Sequence, residues 1–132
     1  MTGMPRIGTA GEKSLVVEER HAARHLSSGG VDALATPAMV ALMEEAALGA
    51  VDPLLPSGWI TVGASLDIRH LAPTPLGMNV TARAELTAVD GRMLTFRVEA
   101  FDEKERIGEG THVRAAVDLA RFSAKLAAKR GS

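Results

Sequence analysis

The chain has 132 residues, enough for one domain with a real core but short for two. Its formal net charge of −1 leaves no broad basic excess to neutralise phosphates. Three Phe, one Trp and no Tyr offer few surfaces on which bases stack, so no nucleic-acid partner is expected. The absence of cysteine excludes disulfides, thiolate metal sites and a cysteine nucleophile.

In chain order, Met1 to Ala10 lacks the long apolar core of a secretory signal, and the longest apolar runs are short of a membrane span and carry Glu44 and Glu45. A soluble cytoplasmic protein without a membrane partner is expected. Ser14 to Arg20 predicts a first strand, and His21 to Gly30 ends in the flexible run Ser27-Ser-Gly-Gly30. A long apolar helix is predicted from about Thr36 to about Val51, with Thr36 as N-cap and Pro37 in the first helical position. Asp52-Pro53 and Pro56-Ser-Gly58 stop it. The next strand, Trp59 to His70, places Ile60, Val62, Ala64, Leu66 and Ile68 on one face and Thr61, Ser65, Asp67 and Arg69 on the other. His70 continues the apolar parity.

Pro73 and Pro75 break that strand, and Gly77 to Val89 forms another. Asp90-Gly91 is a hairpin signal, after which Arg92 to Phe101 pairs back with Leu94, Phe96, Val98 and Ala100 inward. Asp102 to Glu105 turns the chain into a last strand, Arg106 to Leu119, and Ala120 to Arg130 reads as a short basic amphipathic helix. The expected organisation is one domain over 1–132, with its core at 10–119 and a helical tail at 120–132. A strand, a helix and four antiparallel strands joined by tight turns imply an α+β fold, a curved antiparallel sheet wrapped around the helix. Its exposed edge invites pairing in a dimer.

Three polar groups interrupt apolar patterns. Glu44 lies within a helix apolar enough to be buried, where an unpartnered carboxylate is rare. Thr36 begins the same helix, and His70 closes the apolar face of the strand. Together they read as a carboxylate, a hydroxyl and an imidazole converging on one site, which makes an enzyme the leading reading. The carboxylate can act as a base towards water or as a nucleophile, the imidazole can orient it or shuttle a proton, and the hydroxyl can bind or attack. Free N–H groups at the helix start would face the oxyanion. Plainer roles stand beside these. Thr36 is a cap, Glu44 is a surface glutamate next to Glu45, and His70 is structural. The apolar stripe Val40, Met43, Ala47 and Val51 favours Glu44 over Glu45 as the inward residue. His21, His25 and His112 show no metal-ligand spacing, and no metal is expected.

The segments Ala35-Thr-Pro-Ala-Met-Val-Ala-Leu-Met-Glu44, Thr61-Val-Gly-Ala-Ser-Leu-Asp-Ile-Arg-His70 and Ile107-Gly-Glu-Gly-Thr-His-Val-Arg114 resemble the hotdog-fold thioesterases, most closely the fluoroacetyl-CoA thioesterase type. The resemblance covers nearly the whole chain. It implies a hotdog fold and an acyl-CoA thioesterase with Thr36, Glu44 and His70 catalytic and Gly63 and Arg114 binding substrate. It also implies a dimer or dimer of dimers with the site at the interface, and no cofactor, coenzyme A being part of the substrate. From the residues alone, Gly63 marks a bulge or a close backbone approach, and Arg114 could be a cross-strand ion-pair partner.

The family's fluoroacetyl-CoA enzyme covers its acyl pocket with an aromatic-bearing lid before the helix. Here that segment is Leu26-Ser-Ser-Gly-Gly-Val-Asp-Ala-Leu-Ala35, without an aromatic, so a short or medium acyl-CoA is expected. Arg69, Arg83, Arg92, Arg97, Lys125, Lys129 and Arg130 are candidates to meet the phosphates of coenzyme A. Two other readings compete. A hotdog enoyl-CoA hydratase would use an Asp and His pair, and Asp32 precedes no matching His motif. A non-catalytic acyl-CoA binding module has no need of a buried base.

Overall fold

The computed structural model describes residues 3–131. Five strands form a single antiparallel sheet: β1 (Ala10–Val16), β2 (Trp59–His70), β3 (Asn79–Asp90), β4 (Met93–Phe101) and β5 (Arg106–Asp118). Helix α1 (Thr36–Val51) separates the first two strands, and α2 (Leu119–Gly131) follows the last. The spatial order is β1-β3-β4-β5-β2. Alternation with period two builds the inner face. Val80, Ala82, Ala84 and Leu86 of β3 and Leu94, Phe96, Val98 and Ala100 of β4 are all fully buried.

α1 lies across this face and buries Met39, Leu42, Met43, Ala46, Ala47 and Val51. Gly108 of β5 lies opposite flexible Met39 and Met43, where a Cβ would meet the Met39 sulfur at 2.5 Å and the Met43 methyl at 3.1 Å, and so lets helix and sheet approach closely. The result is the curled sheet around one helix of the hotdog fold. Among the described residues no helix is long and apolar enough to cross a membrane.

Three expectations need correction. The first strand ends at Val16 rather than Arg20, because Glu18 to His21 close a 3-10 turn in which the Glu18 N–H donates to His21 Nδ1 at 2.9 Å. Only β3, β4 and β5 form a meander. β2 lies at the far edge beside β5, so residues 71–78 carry the chain across the sheet. Pro73 and Pro75 cannot donate to a ladder, and buried Thr74 fixes the crossing through a 2.8 Å hydrogen bond to Asp102.

The third correction is the parity of β2. Its register with β5 shifts between Gly63 and Ser65, which leaves Ala64 as an extra bulged residue. Before the bulge Thr61 and Gly63 pair with Ala116 and Arg114; after it Leu66 and His70 pair with His112 and Gly108. Thr61 is therefore buried on the inner face, not outward as simple alternation predicts.

Candidate active site

Ala35 occupies the N-cap position of α1 and gives no side-chain cap, so Thr36 is already helical and its hydroxyl is free for another partner. That partner is His70, at the last position of β2: Thr36 Oγ1 and His70 Nδ1 are 2.7 Å apart. Burial pushes the His70 pKa down, only partly opposed by the nearby Ala72 backbone, which keeps the ring neutral at neutral pH. Among the described residues its Nε2 is buried without a hydrogen-bond partner at bonding geometry. Such an atom in a native fold calls for a functional account.

The pair lines a cavity of about 380 Å³, walled by Ala23, Val31, Leu34, Leu71 and Pro73 among others. Residues 24–31 form a loop beside it, closed by Ala23 N–H to Ala33 O at 2.8 Å and pinned by an Arg24–Asp32 ion pair at 3.1 Å. Asp32 is thus engaged with Arg24 rather than with an imidazole.

Glu44 belongs to a different cluster. Its Oε2 lies 3.7 Å from Arg114 Nη1, and a cavity of about 280 Å³ is shared by Glu44, Gly63, Ser65, Leu66 and His112. The carboxylate faces a buried guanidinium, not the apolar surroundings that its helix suggested. Arg114 is held from several sides. Its Nε donates to Thr61 Oγ1 at 2.8 Å, its Nη2 to Thr61 O at 3.1 Å and its Nη1 to His112 Nε2 at 3.0 Å. Thr61 in turn donates its hydroxyl to Asp52 at 2.5 Å.

Because arginine only donates, His112 Nε2 must accept, and Nδ1–H donates to Ser65 O at 2.8 Å. Burial and the Arg114 charge push the His112 pKa down, against the Ser65 carbonyl and Glu44. Burial also lowers the Arg114 pKa, while Asp52 and then Glu44 favour its charged form, and it remains a cation.

One chain therefore brings Thr36 and His70 together but not Glu44. Eight residues along an α-helix span about 12 Å, and the two groups line separate cavities. Gly63 and Arg114 join Glu44. Among the described residues, no three His, Asp or Glu side chains come together to hold a metal ion.

A sequence model of the fluoroacetyl-CoA-specific thioesterase family matches residues 16–120. The fluoroacetyl-CoA thioesterase of Streptantibioticus cattleyicolor is 38% identical over 130 residues, covering 94% of each chain. The chain belongs to the fluoroacetyl-CoA-specific thioesterase family. A mutant fluoroacetyl-CoA thioesterase solved in complex with acetyl-CoA superimposes with a TM-score of 0.88 at 37% identity, covering 95% of this chain and 98% of that one. A thioesterase superfamily member from Thermus thermophilus gives 0.89 at 29% identity, over 99% and 96% of the two chains.

Asp52, Thr61 and His112 are the residues of this family member that sequence reasoning missed as parts of the cluster. His112 had a readable signal, since a strand residue two before Arg114 shares its face. Thr61 had none, because the bulge reverses its parity. Gly63 marks both a bulge and a close approach: a Cβ there would lie 2.8 Å from Glu44 Oε2. Gly63→Ala is expected to push the carboxylate aside and lower kcat by roughly 10- to 100-fold. The displaced atom ends a flexible side chain, so the melting temperature should barely move; thiol release and a thermal melt check both. A variant with normal turnover would show that the position of Glu44 does not matter.

Proposed function

We propose that this protein hydrolyses short or medium acyl-CoA thioesters to the free acid and CoA. The observation that carries the reading is the 2.7 Å Thr36–His70 hydrogen bond in the wall of an apolar cavity at the start of α1. The apolar walls suit an acyl chain, and the first-turn N–H groups of α1 suit a developing oxyanion.

Glu44 completes the site from a second copy of the chain in this proposal. Pro37, Ala41, Leu48 and Gly49 form an exposed small and apolar face of α1 interrupted by the exposed Glu45, with Glu44 at its margin. Beside it, β2 is an edge strand with no partner on its outer side among the described residues, and inward-facing Leu66 is 44% exposed. A two-fold axis through the middle of this helix face pairs the two β2 edges and brings the partner subunit's Glu44 to Thr36 and His70. Homodimerisation through this face is thus part of the function, as is a cytoplasmic location, where acyl-CoA is made and consumed. Residues 10–119 form the working domain.

In such a site Glu44 takes a proton from water as it attacks the carbonyl, or attacks the carbonyl itself to give an anhydride that water then opens. Either route needs a free carboxylate. Thr36 and the neutral His70 position the carbonyl and deliver a proton to the departing sulfur, so water and thioester yield acid and thiol. Gly63 keeps space and exposed backbone beside the carboxylate, and Arg114 orients it.

The test is release of free thiol from a panel of acyl-CoAs. Release from acetyl-CoA and medium-chain esters, without marked preference for fluoroacetyl-CoA, supports the proposal; no release from any of them overturns it. The pH dependence follows from His70. A neutral ring is needed, and its pKa lies below the ordinary 6.5, so activity is full near neutrality and is lost only as pH falls through that lowered value. The acid limb of kcat/KM should have its midpoint below 6.5, and a midpoint at or above it would contradict a neutral, buried His70.

A further inference from the structure

A second groove, of about 580 Å³, lies between α2, the β3–β4 turn and the start of β2, and neither half of the catalytic site uses it. Arg92 enters it from the turn, while Arg121 and Lys125 enter from successive turns of α2. All three are exposed, and among the described residues none has a carboxylate within ion-pair distance. Exposed cations without partners attract anions, all the more when three converge. The groove also holds Trp59 and Phe122, two of the four aromatic residues in the whole chain. Its one acid, Asp118, spends Oδ1 on the N–H groups of Ala120 and Arg121 at 3.0 and 3.2 Å. The groove keeps a net positive charge.

Planar aromatic surface beside converging cations is the chemistry that holds a nucleotide, the base against the rings and the phosphates against the cations. Position agrees. Trp59 stands four residues before Gly63 on β2, about 13 Å at the rise of a strand. That is the order of separation between a CoA thioester and its phosphates, with the pantetheine arm between. The groove and the Glu44–Gly63–Arg114 cluster also belong to the same chain and border the same free edge strand.

We propose that this groove binds the 3′-phosphorylated adenosine diphosphate end of the acyl-CoA substrate. The inference rests on the thioesterase reading and assigns the groove a share of substrate affinity rather than of chemistry. α2, which buries none of its residues, then contributes by carrying the charges to the phosphates.

The experiment compares acetyl-CoA with acetyl-pantetheine, which has the same thioester but no nucleotide, in wild type and in the Arg121→Glu/Lys125→Glu double variant. The substituted residues are exposed on a helix without buried residues, so folding should survive, as a thermal melt would show. Removing two phosphate contacts and reversing their charge should raise KM for acetyl-CoA by roughly tenfold or more, with kcat little changed. KM for acetyl-pantetheine should stay within about twofold, because it never reaches the groove.

Unchanged KM for acetyl-CoA overturns the proposal. So does an equal loss with both substrates accompanied by dissociation of the dimer, which would make the groove an interface between copies. If wild type cleaves neither thioester, the failure belongs to the thioesterase reading, and the sole tryptophan decides the groove separately. Adenosine 3′,5′-bisphosphate should quench Trp59 fluorescence saturably in wild type and much more weakly in the double variant. An absence of quenching in wild type would leave the groove without a nucleotide.

Discussion

Glu44→Gln is expected to lower kcat by at least about 100-fold while the protein stays folded, because the change removes a base or nucleophile but keeps the size of the side chain. A buried ion-pair partner would not be replaceable so cheaply, since losing it strands an uncompensated charge. Glu44 is not in that position. Its side chain is 35% exposed and its nearest contact with Arg114 is 3.7 Å. The guanidinium has firmer partners in both oxygens of Thr61 and in His112, and the Asp52 carboxylate favours its charge more than Glu44 does.

The melting temperature should therefore shift by only a few degrees, the consequence of a change of about 1 kcal/mol or less in a domain of this size. Thiol release and a melt on the same preparation separate the two effects. Turnover near wild type would remove Glu44 from the chemistry. A large drop in melting temperature would make it a structural member of the Arg114 network instead.

The parts of this protein readable in its sequence are those fixed by local pattern. The helix from Thr36 to Val51 was legible because an apolar run sits between Pro37 and Asp52-Pro53, and β4 because four alternate residues are large or small apolars with a hairpin signal before them. The position of β2 at the far edge was not legible. Nothing in Trp59 to His70 says which strand it will pair with, and the crossing depends on Thr74 and Asp102 meeting in space. Strict alternation failed at Ala64, where one extra residue turns Thr61 from an outward residue into the buried link between Asp52 and Arg114.

The site shows the same division. Residue type and spacing singled out Thr36, Glu44 and His70, since each breaks an apolar pattern. The roughly 12 Å between Thr36 and Glu44 follows from eight residues of helical rise and was legible. That β2 brings His70 to Thr36 while β5 brings Arg114 to Glu44 was not, because strand placement decides both.

That separation leads to the sharpest prediction. If each active site takes Thr36 and His70 from one subunit and Glu44 from the other, two inactive variants should repair one another. Thr36→Ala and Glu44→Gln homodimers would each carry the same defect in both sites. A mixed dimer distributes the defects differently. One of its sites receives both substitutions and the other receives neither, because the altered Thr36 and the altered Glu44 enter the same site from opposite chains.

Random reassociation of equal amounts yields half mixed dimers with one intact site each, so activity should return to about one quarter of wild type from a starting level near zero. Thiol release before and after subunit exchange measures the recovery. A site built within a single chain predicts the opposite, since every subunit in the mixture would still lack one of the two groups and no exchange could restore it. Activity that stays at the level of the separate variants, with mixed dimers shown to be present, would place Glu44 and Thr36 in independent roles. It would also require the helix face of α1 to have some purpose other than completing the site.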